Sequence, residues 1–265
     1  MSHYTVAVIT RTDPRESDEL ERLLAPFDEN MEVERYLHRT KAQIIEDGKK
    51  HKEEMLERLK EFDKDKLIEI LTNRAYRWWR DIFNCETDED FYKMEAYQDM
   101  IDTDSGDEYT TYNPNSRWDW YEVGGRWSEE LRDYEGEYWN TLQIKDWDYN
   151  YIDAEEINEC SRYWDIAVKS AEMTEEEKEK FFFFHGPEYY LEKYGNKSNY
   201  VKSVITFHTY AVLTPDGEWL APGNVVWFGG SDAKLSDESN WEKNYTSLID
   251  TFDRNYYVTL VDCHI

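Results

Sequence analysis

Cysteines, basic side chains and long apolar runs are scarce in this chain of 265 residues. Its three cysteines, Cys85, Cys160 and Cys263, lack paired spacing, so they provide neither a disulfide framework nor a zinc knuckle, which suits a reducing cytoplasm. Lys and Arg number 31 against 59 Asp and Glu, a net charge of −28. That balance argues against DNA, RNA or an anionic membrane as the direct partner, because phosphate binding needs basic patches. No apolar run approaches the roughly 20 residues of a membrane span, and the opening MSHYTVAVIT has no basic region ahead of an apolar one. Catalytic signatures are missing as well. There is no Gly-x-Ser-x-Gly, no His-Glu-x-x-His, no kinase set, and no glycine pattern of a P-loop or Rossmann turn.

Aromatic residues are abundant, at 16% of the chain with 21 Tyr and 11 Trp. Disordered chains combine high net charge with few aromatics, so this composition predicts a globular protein with ample core. The charge is uneven. Residues 1–80 hold 18 acids and 16 bases, whereas 81–265 hold 41 acids and 15 bases. Two stretches are densest: Glu86–Glu108, with ten acids and one base, and Asp119–Glu159, with thirteen acids and three bases. One reading is a solvated outer face. Self-repulsion at this charge destabilises the compact state, however, so the other reading is a surface that presents carboxylates to a basic protein partner.

The pattern of apolar residues predicts an α+β fold, with an antiparallel or mixed sheet built from terminal strands and a late hairpin and with helices inserted between strands. Tyr4–Thr10 and Tyr256–Ile265 are the terminal strands, and Val201–Leu213 is the strongest strand signal. Thr214-Pro215-Asp216-Gly217 turns that last segment into a hairpin with Glu218-Trp219-Leu220. Asn30–Tyr36 alternates like an edge strand, and Trp118–Val123 reads as a further strand. Helices are expected from about Ser17 to Pro26, over 41–62, from Asp63 or Asp65 toward Ile82, over 91–100, over 154–171, and from the Thr174/Glu177 capping box into Phe181–Phe184. The two helices of 41–82 read as purely structural. We expect one domain over 1–265, with a helical insertion at 41–100 and an acidic segment at 86–160.

The most individual stretch is Tyr112–Trp127, YNPNSRWDWYEVGGRW. Arg117 and Arg126 bring planar forks, Trp118, Trp120 and Trp127 large apolar surfaces, and Gly124-Gly125 close approach or positive φ. The functional reading is a recognition platform of aromatics and arginines; the structural reading is a packed turn–strand–turn. The later glycine–tryptophan stretch, 215–230, is expected to meet it in space. His38-Arg39-Thr40 matches half of a two-histidine phosphoesterase signature, but His208-Thr209-Tyr210 has its threonine one place early. Cys263-His264 would face opposite ways on a strand, so they do not form a zinc pair. Asp102, Asp104 and Asp107 near Gly106 lack the spacing and the closing Glu of a calcium loop. No cofactor or metal is expected.

The segment NPNSRWDWYEVGGRW resembles one found in uncharacterised proteins of bacteriophages and mobile elements, and the opening strand followed by LLAPFDEN, and the later TPDGEW…PG…WFGG, resemble parts of the same pattern. Together they cover about a fifth of the chain. The resemblance implies a phage or mobile-element accessory protein and assigns no catalytic residues. Accessory proteins of this kind include inhibitors of host CRISPR–Cas, restriction or Gabija-type defences, which work in the bacterial cytoplasm. The expectation is therefore a non-enzymatic anti-defence inhibitor whose protein partner is a nuclease or helicase complex. Its contact residues would be Asp88, Asp90, Asp102, Asp104, Asp107, Glu108, Arg117, Trp118, Trp120, Arg126 and Trp127. The alternative is a small-molecule or metal-dependent enzyme with a pocket lined by Trp118, Trp120, Trp127 and Trp227.

Overall fold

The computed structural model describes residues 2–181, 185–226 and 230–265. About 45% of the chain is helix and 18% strand, with a mixed sheet: an α+β fold. The chain forms two compact units, one from Met1–Met31 with Asn113–Ile265 and the other from Glu32–Tyr112.

The first unit is organised by its two terminal strands. His3–Thr10 and Tyr257–His264 pair antiparallel over eight residues, from His3 opposite His264 to Thr10 opposite Tyr257. Both are dense in β-branched residues, and both are buried along almost their whole length. Trp120–Val123 and Thr141–Gln143 add antiparallel to the closing strand, and Ala211–Leu213 adds parallel to the opening one. The hairpin partner Trp219–Leu220 ends that edge. Alternation along the strands sends side chains to two cores. On one face Ala7, Ile9, Val258 and Leu260 pack with Trp147 and with Tyr245 and Ile249 of the helix Leu235–Ile249. On the other face Tyr4, Val6, Val8, Val261 and Cys263 pack with Trp118 and with Leu20, Leu23 and Leu24 of the helix Glu19–Leu24. A third cluster joins Trp164 of the helix Ala154–Lys169 to Tyr190 and to Tyr200 and Val201 on the two helices Pro187–Tyr194 and Lys197–Ile205.

Three sequence expectations are corrected. The span 201–213 is not one strand: 201–205 finishes the helix Lys197–Ile205, and strand begins at Ala211. Asn196 opens that helix by accepting from the Asn199 amide, and burial of Tyr200 and Val201 against the neighbouring helices overrides local β propensity. The expected edge strand at 30–36 lies further on, at Tyr36–Arg39, where it pairs with Glu108–Thr110. The helix expected from 63 to 82 breaks into Lys64–Thr72 and Arg77–Phe83, because the Asn73 side chain accepts from the Ala75 amide and competes with the helical backbone. The helix Leu235–Ile249 had no counterpart in the sequence reading, and the run 182–184 lies outside the described residues.

In the second unit, Thr40 and Gln43 close a capping box on the helix Lys41–Leu59, which packs across the helix Asp88–Glu95. Phe91 Cβ and Cδ1 stand 3.1 and 3.2 Å from where a Cβ on Gly48 would be, so glycine in mid-helix allows this close crossing.

The ladder between the terminal strands predicts a large response to truncation. Leu260, with no solvent exposure, should cost about 2–5 kcal/mol as Leu260→Ala. Urea denaturation measures it; a loss under about 1 kcal/mol would show that this face is loosely packed.

Candidate functional site

The face that carries Ala7, Ile9, Val258 and Leu260 turns polar toward one end of the sheet, where the same alternation places His3, Thr5, Asp262 and His264. Each histidine donates from Nδ1 to a carboxylate: His3 to Asp262 at 2.8 Å and His264 to Asp119 at 2.5 Å. The Trp120 ring stacks on His264, and the two imidazoles meet edge to face with centroids 5.0 Å apart. Asp262, 2% exposed, also accepts from the Arg126 amide. Gly124 and Gly125 both have positive φ, and a Cβ on Gly125 would fall 2.4 Å from Asp262 Cβ. The stretch 113–127 is thus built around this cluster. Asn113, buried, donates to the carbonyls of Pro26 and Asp28; the Arg117 carbonyl accepts from Tyr4; Trp118 Nε1 donates to the Leu24 carbonyl. His264 Nε2 is buried without a hydrogen-bond partner among the described residues.

Beside Thr5 and Trp127 the first unit opens into a cleft of about 530 Å³. Its rings include Trp127, Tyr138, Trp147, Tyr149 and Tyr151, and its acids are Glu129, Glu130, Asp148, Asp153 and Glu156. The one Lys or Arg among the lining residues, Arg132, is already committed: it holds Asp148 at 2.5 Å and stacks 3.8 Å from the Tyr151 ring centre. Asp153 caps the helix Ala154–Lys169 through the Glu155 amide. Glu129, Glu130 and Glu156 have no ion pair among the described residues. Glu129, Glu130 and Glu156 are exposed residues of the cleft; partial loss of solvent there raises the Glu130 carboxyl above its ordinary pKa, and for Glu156 the same loss does so, followed by the charges of Asp153 and Glu159. A concave, aromatic wall with uncompensated carboxylates is suited to a cation, above all a guanidinium or ammonium group.

The expected contact residues divide between the units. Five acids of the Glu86–Glu108 stretch serve their own unit. Asp88 pairs with Lys49 at 2.7 Å, and Asp90 closes a capping box with Thr87 whose donors lower its pKa. Asp102 accepts from the Asp104 and Ser105 amides, which lower its pKa, and Asp107 accepts from the Lys41 amide. Glu108 has to be corrected: it has no solvent exposure, and both its oxygens hold Arg39, at 2.7 and 3.0 Å. Asp104 faces solvent with no ion pair among the described residues. Trp118 is a second correction, being 7% exposed in the core that covers the first helix. Arg117 is half-buried, its Nη1 donating to the Ser116 carbonyl, while the Arg126 side chain is exposed. Trp120 stacks on His264, and Trp127 reaches the cleft. The tryptophans proposed to line one pocket therefore go to different places, and Trp227 lies outside the described residues.

As expected, stretches 113–127 and 215–230 meet: Ser116 and Arg117 share a small cavity with Trp219 and Gly223. Cys263 enters a core while its neighbour His264 takes the opposite face. Of the two phosphoesterase half-motifs, His38 is exposed in the second unit, while His208 lines the cleft in the first and donates to the Thr206 carbonyl. Their threonines are structural, Thr40 as a cap and Thr209 bonded to Tyr245. Among the described residues no group of three or more His, Cys, Asp and Glu side chains is arranged to hold a metal ion. Sequence reading missed His3, Asp119, Asp262 and His264. The signal was present in the period-two spacing of Asp262 and His264 opposite His3, but it needs the strand register to be read. No family model, curated protein or solved structure matches the chain.

The cleft carboxyls set a pH-dependent stability. Their folded pKa lies above the unfolded one, so ionisation opposes folding: the penalty is absent below the unfolded pKa, near 4, and appears as pH rises through the folded value. Glu130→Gln should therefore raise the melting temperature at neutral pH and lose that gain at pH of about 4. An equal gain at both values would place the effect elsewhere.

Proposed function

We propose that this protein is a non-enzymatic inhibitor that binds a bacterial nucleic-acid-processing defence complex through an acidic surface. The observation that carries the reading is the cleft of the first unit, where Glu129, Glu130 and Glu156, with no ion pair among the described residues, stand among tyrosine and tryptophan rings. A nuclease or helicase presents Lys and Arg to its own nucleic acid, and such side chains would find carboxylates and ring faces there together. Partly desolvated pairing strengthens each contact, and the wider charge excess, 37 acids to 17 bases in this unit, accelerates encounter. The resemblance of 113–127 to phage and mobile-element proteins supports the biological setting.

Within this reading the contact falls on Asp119–Glu159, not on Glu86–Glu108, because the acids of the latter are largely taken up by their own helix ends and bases. A second reading, a small-molecule enzyme, rests on the same cleft: a carboxyl with raised pKa, such as Glu130, is suited to donate a proton. It predicts turnover that Glu130→Gln abolishes.

Capture of the intact protein from expressing bacteria, followed by mass spectrometry, tests the proposal. A basic nuclease or helicase subunit should be retained, and combined Glu129→Lys, Glu130→Lys and Glu156→Lys should weaken its binding at least about tenfold at physiological salt. Asp88→Lys with Asp104→Lys should change it little. Recovery of no such partner at low or moderate salt would overturn the reading.

A further inference from the structure

The helices of 41–83 carry more than structure. Helices Lys41–Leu59, Lys64–Thr72 and Arg77–Phe83 enclose an apolar groove of about 390 Å³ lined by Leu59, Leu67, Ile70, Leu71, Trp79 and Phe83. Leu71 is 69% exposed and Phe83 51%. Solvated monomers rarely leave so many large apolar side chains together at one surface.

One polar feature marks the groove. Arg80 lines it, and its Nη1 donates to the Ile70 and Asn73 carbonyls at 2.6 and 2.8 Å, which fixes the planar guanidinium in place. The rest of that fork has no carboxylate partner among the described residues, in a chain with nearly twice as many acids as bases. Exposed Arg74, one turn away from Arg77, is likewise unpaired there. The segment 71–81 holds three arginines and one acid, Asp81, which pairs with Arg77 at 3.3 Å and leaves Arg74 and Arg80 without a carboxylate among the described residues.

From this we propose that the groove of the second unit binds an acidic amphipathic helix of a partner protein. Three arguments select that occupant. The walls are helices, whose backbone groups are bonded within the helix or, as at Ile70, by Arg80, so they offer no strand edge; an occupant must satisfy its own backbone, as a helix does. Apolar residues on one helical face fill the groove, and a carboxylate near them meets the free edge of the Arg80 fork. A second copy docked groove to groove would instead oppose arginine to arginine. This interface is separate from the acidic cleft and does not depend on it.

The test uses the full chain and a fluorescent peptide of about four to five turns, with Leu at i, i+3, i+4 and i+7 and Glu on the flanking positions, followed by anisotropy. Saturable binding is expected, weaker by at least about tenfold for the same peptide with Lys in place of Glu. Leu71→Ser should reduce affinity by a similar factor without lowering the melting temperature, since Leu71 is mostly exposed. Arg80→Gln should weaken the Glu peptide and not the Lys peptide; Arg80→Met, which keeps the packing of the stem, serves if Arg80→Gln fails to fold. Equal binding of both peptides, or binding unchanged in folded Leu71→Ser, would overturn the proposal. So would concentration-dependent self-association that Leu71→Ser abolishes, which would make a second copy the occupant.

Discussion

The antiparallel ladder between His3–Thr10 and Tyr257–His264 is the constraint on which the first unit depends. It joins the two ends of the chain, so its contacts span the greatest sequence separation available, and the closure entropy is offset by burial on both faces. Val6, Ala7, Val8, Ile9, Leu260 and Val261 have no solvent exposure. Every other strand of the main sheet is attached to one of these two, directly or through the late hairpin. A one-residue slip of the ladder would send one strand's side chains to the opposite cores and put His3 and Asp262 on different faces.

That register also creates the polar cluster. His3, Thr5, Asp262 and His264 lie on a face that is apolar only a few residues away, and a buried carboxylate there requires donors. His3 is one donor to Asp262, and the stretch 113–127 supplies the other, an acceptor for His264, and the shelter. Asp119 takes one histidine, the Arg126 amide reaches Asp262, Trp120 covers His264, and Gly125 allows the chain to come close enough. The conspicuous texture of this stretch is therefore accounted for first by packing; Trp127, at its end, passes from the cluster to the cleft wall.

The net charge of −28 resolves into two kinds of carboxylate. Those of 86–108 mostly serve helix ends, turns and the buried Arg39–Glu108 pair, where each has a donor within the same unit. Several in 119–159 are uncompensated at the cleft, where their mutual repulsion and loss of solvent remain as a destabilising contribution. Density of charge along the chain does not distinguish the two, because the donors that neutralise the first group are backbone amides and residues distant in sequence.

The terminal strands, the late hairpin, the helices at 41–59 and 154–169 and the α+β class were legible in the sequence, because each is encoded by local periodicity, capping residues or turn chemistry. Asn113, Gly124 and Gly125 were also legible as special, since a turn and a positive φ depend on the residue itself. Tertiary structure alone decided that 201–205 is helical, that Glu108 and Trp118 are interior, and that His3, Asp119, Asp262 and His264 converge. In each case the deciding energy is burial or pairing between segments far apart in the chain: Val201 against Trp164, Glu108 with Arg39, Asp119 with His264. Local sequence carries no record of a neighbour that only the fold brings near.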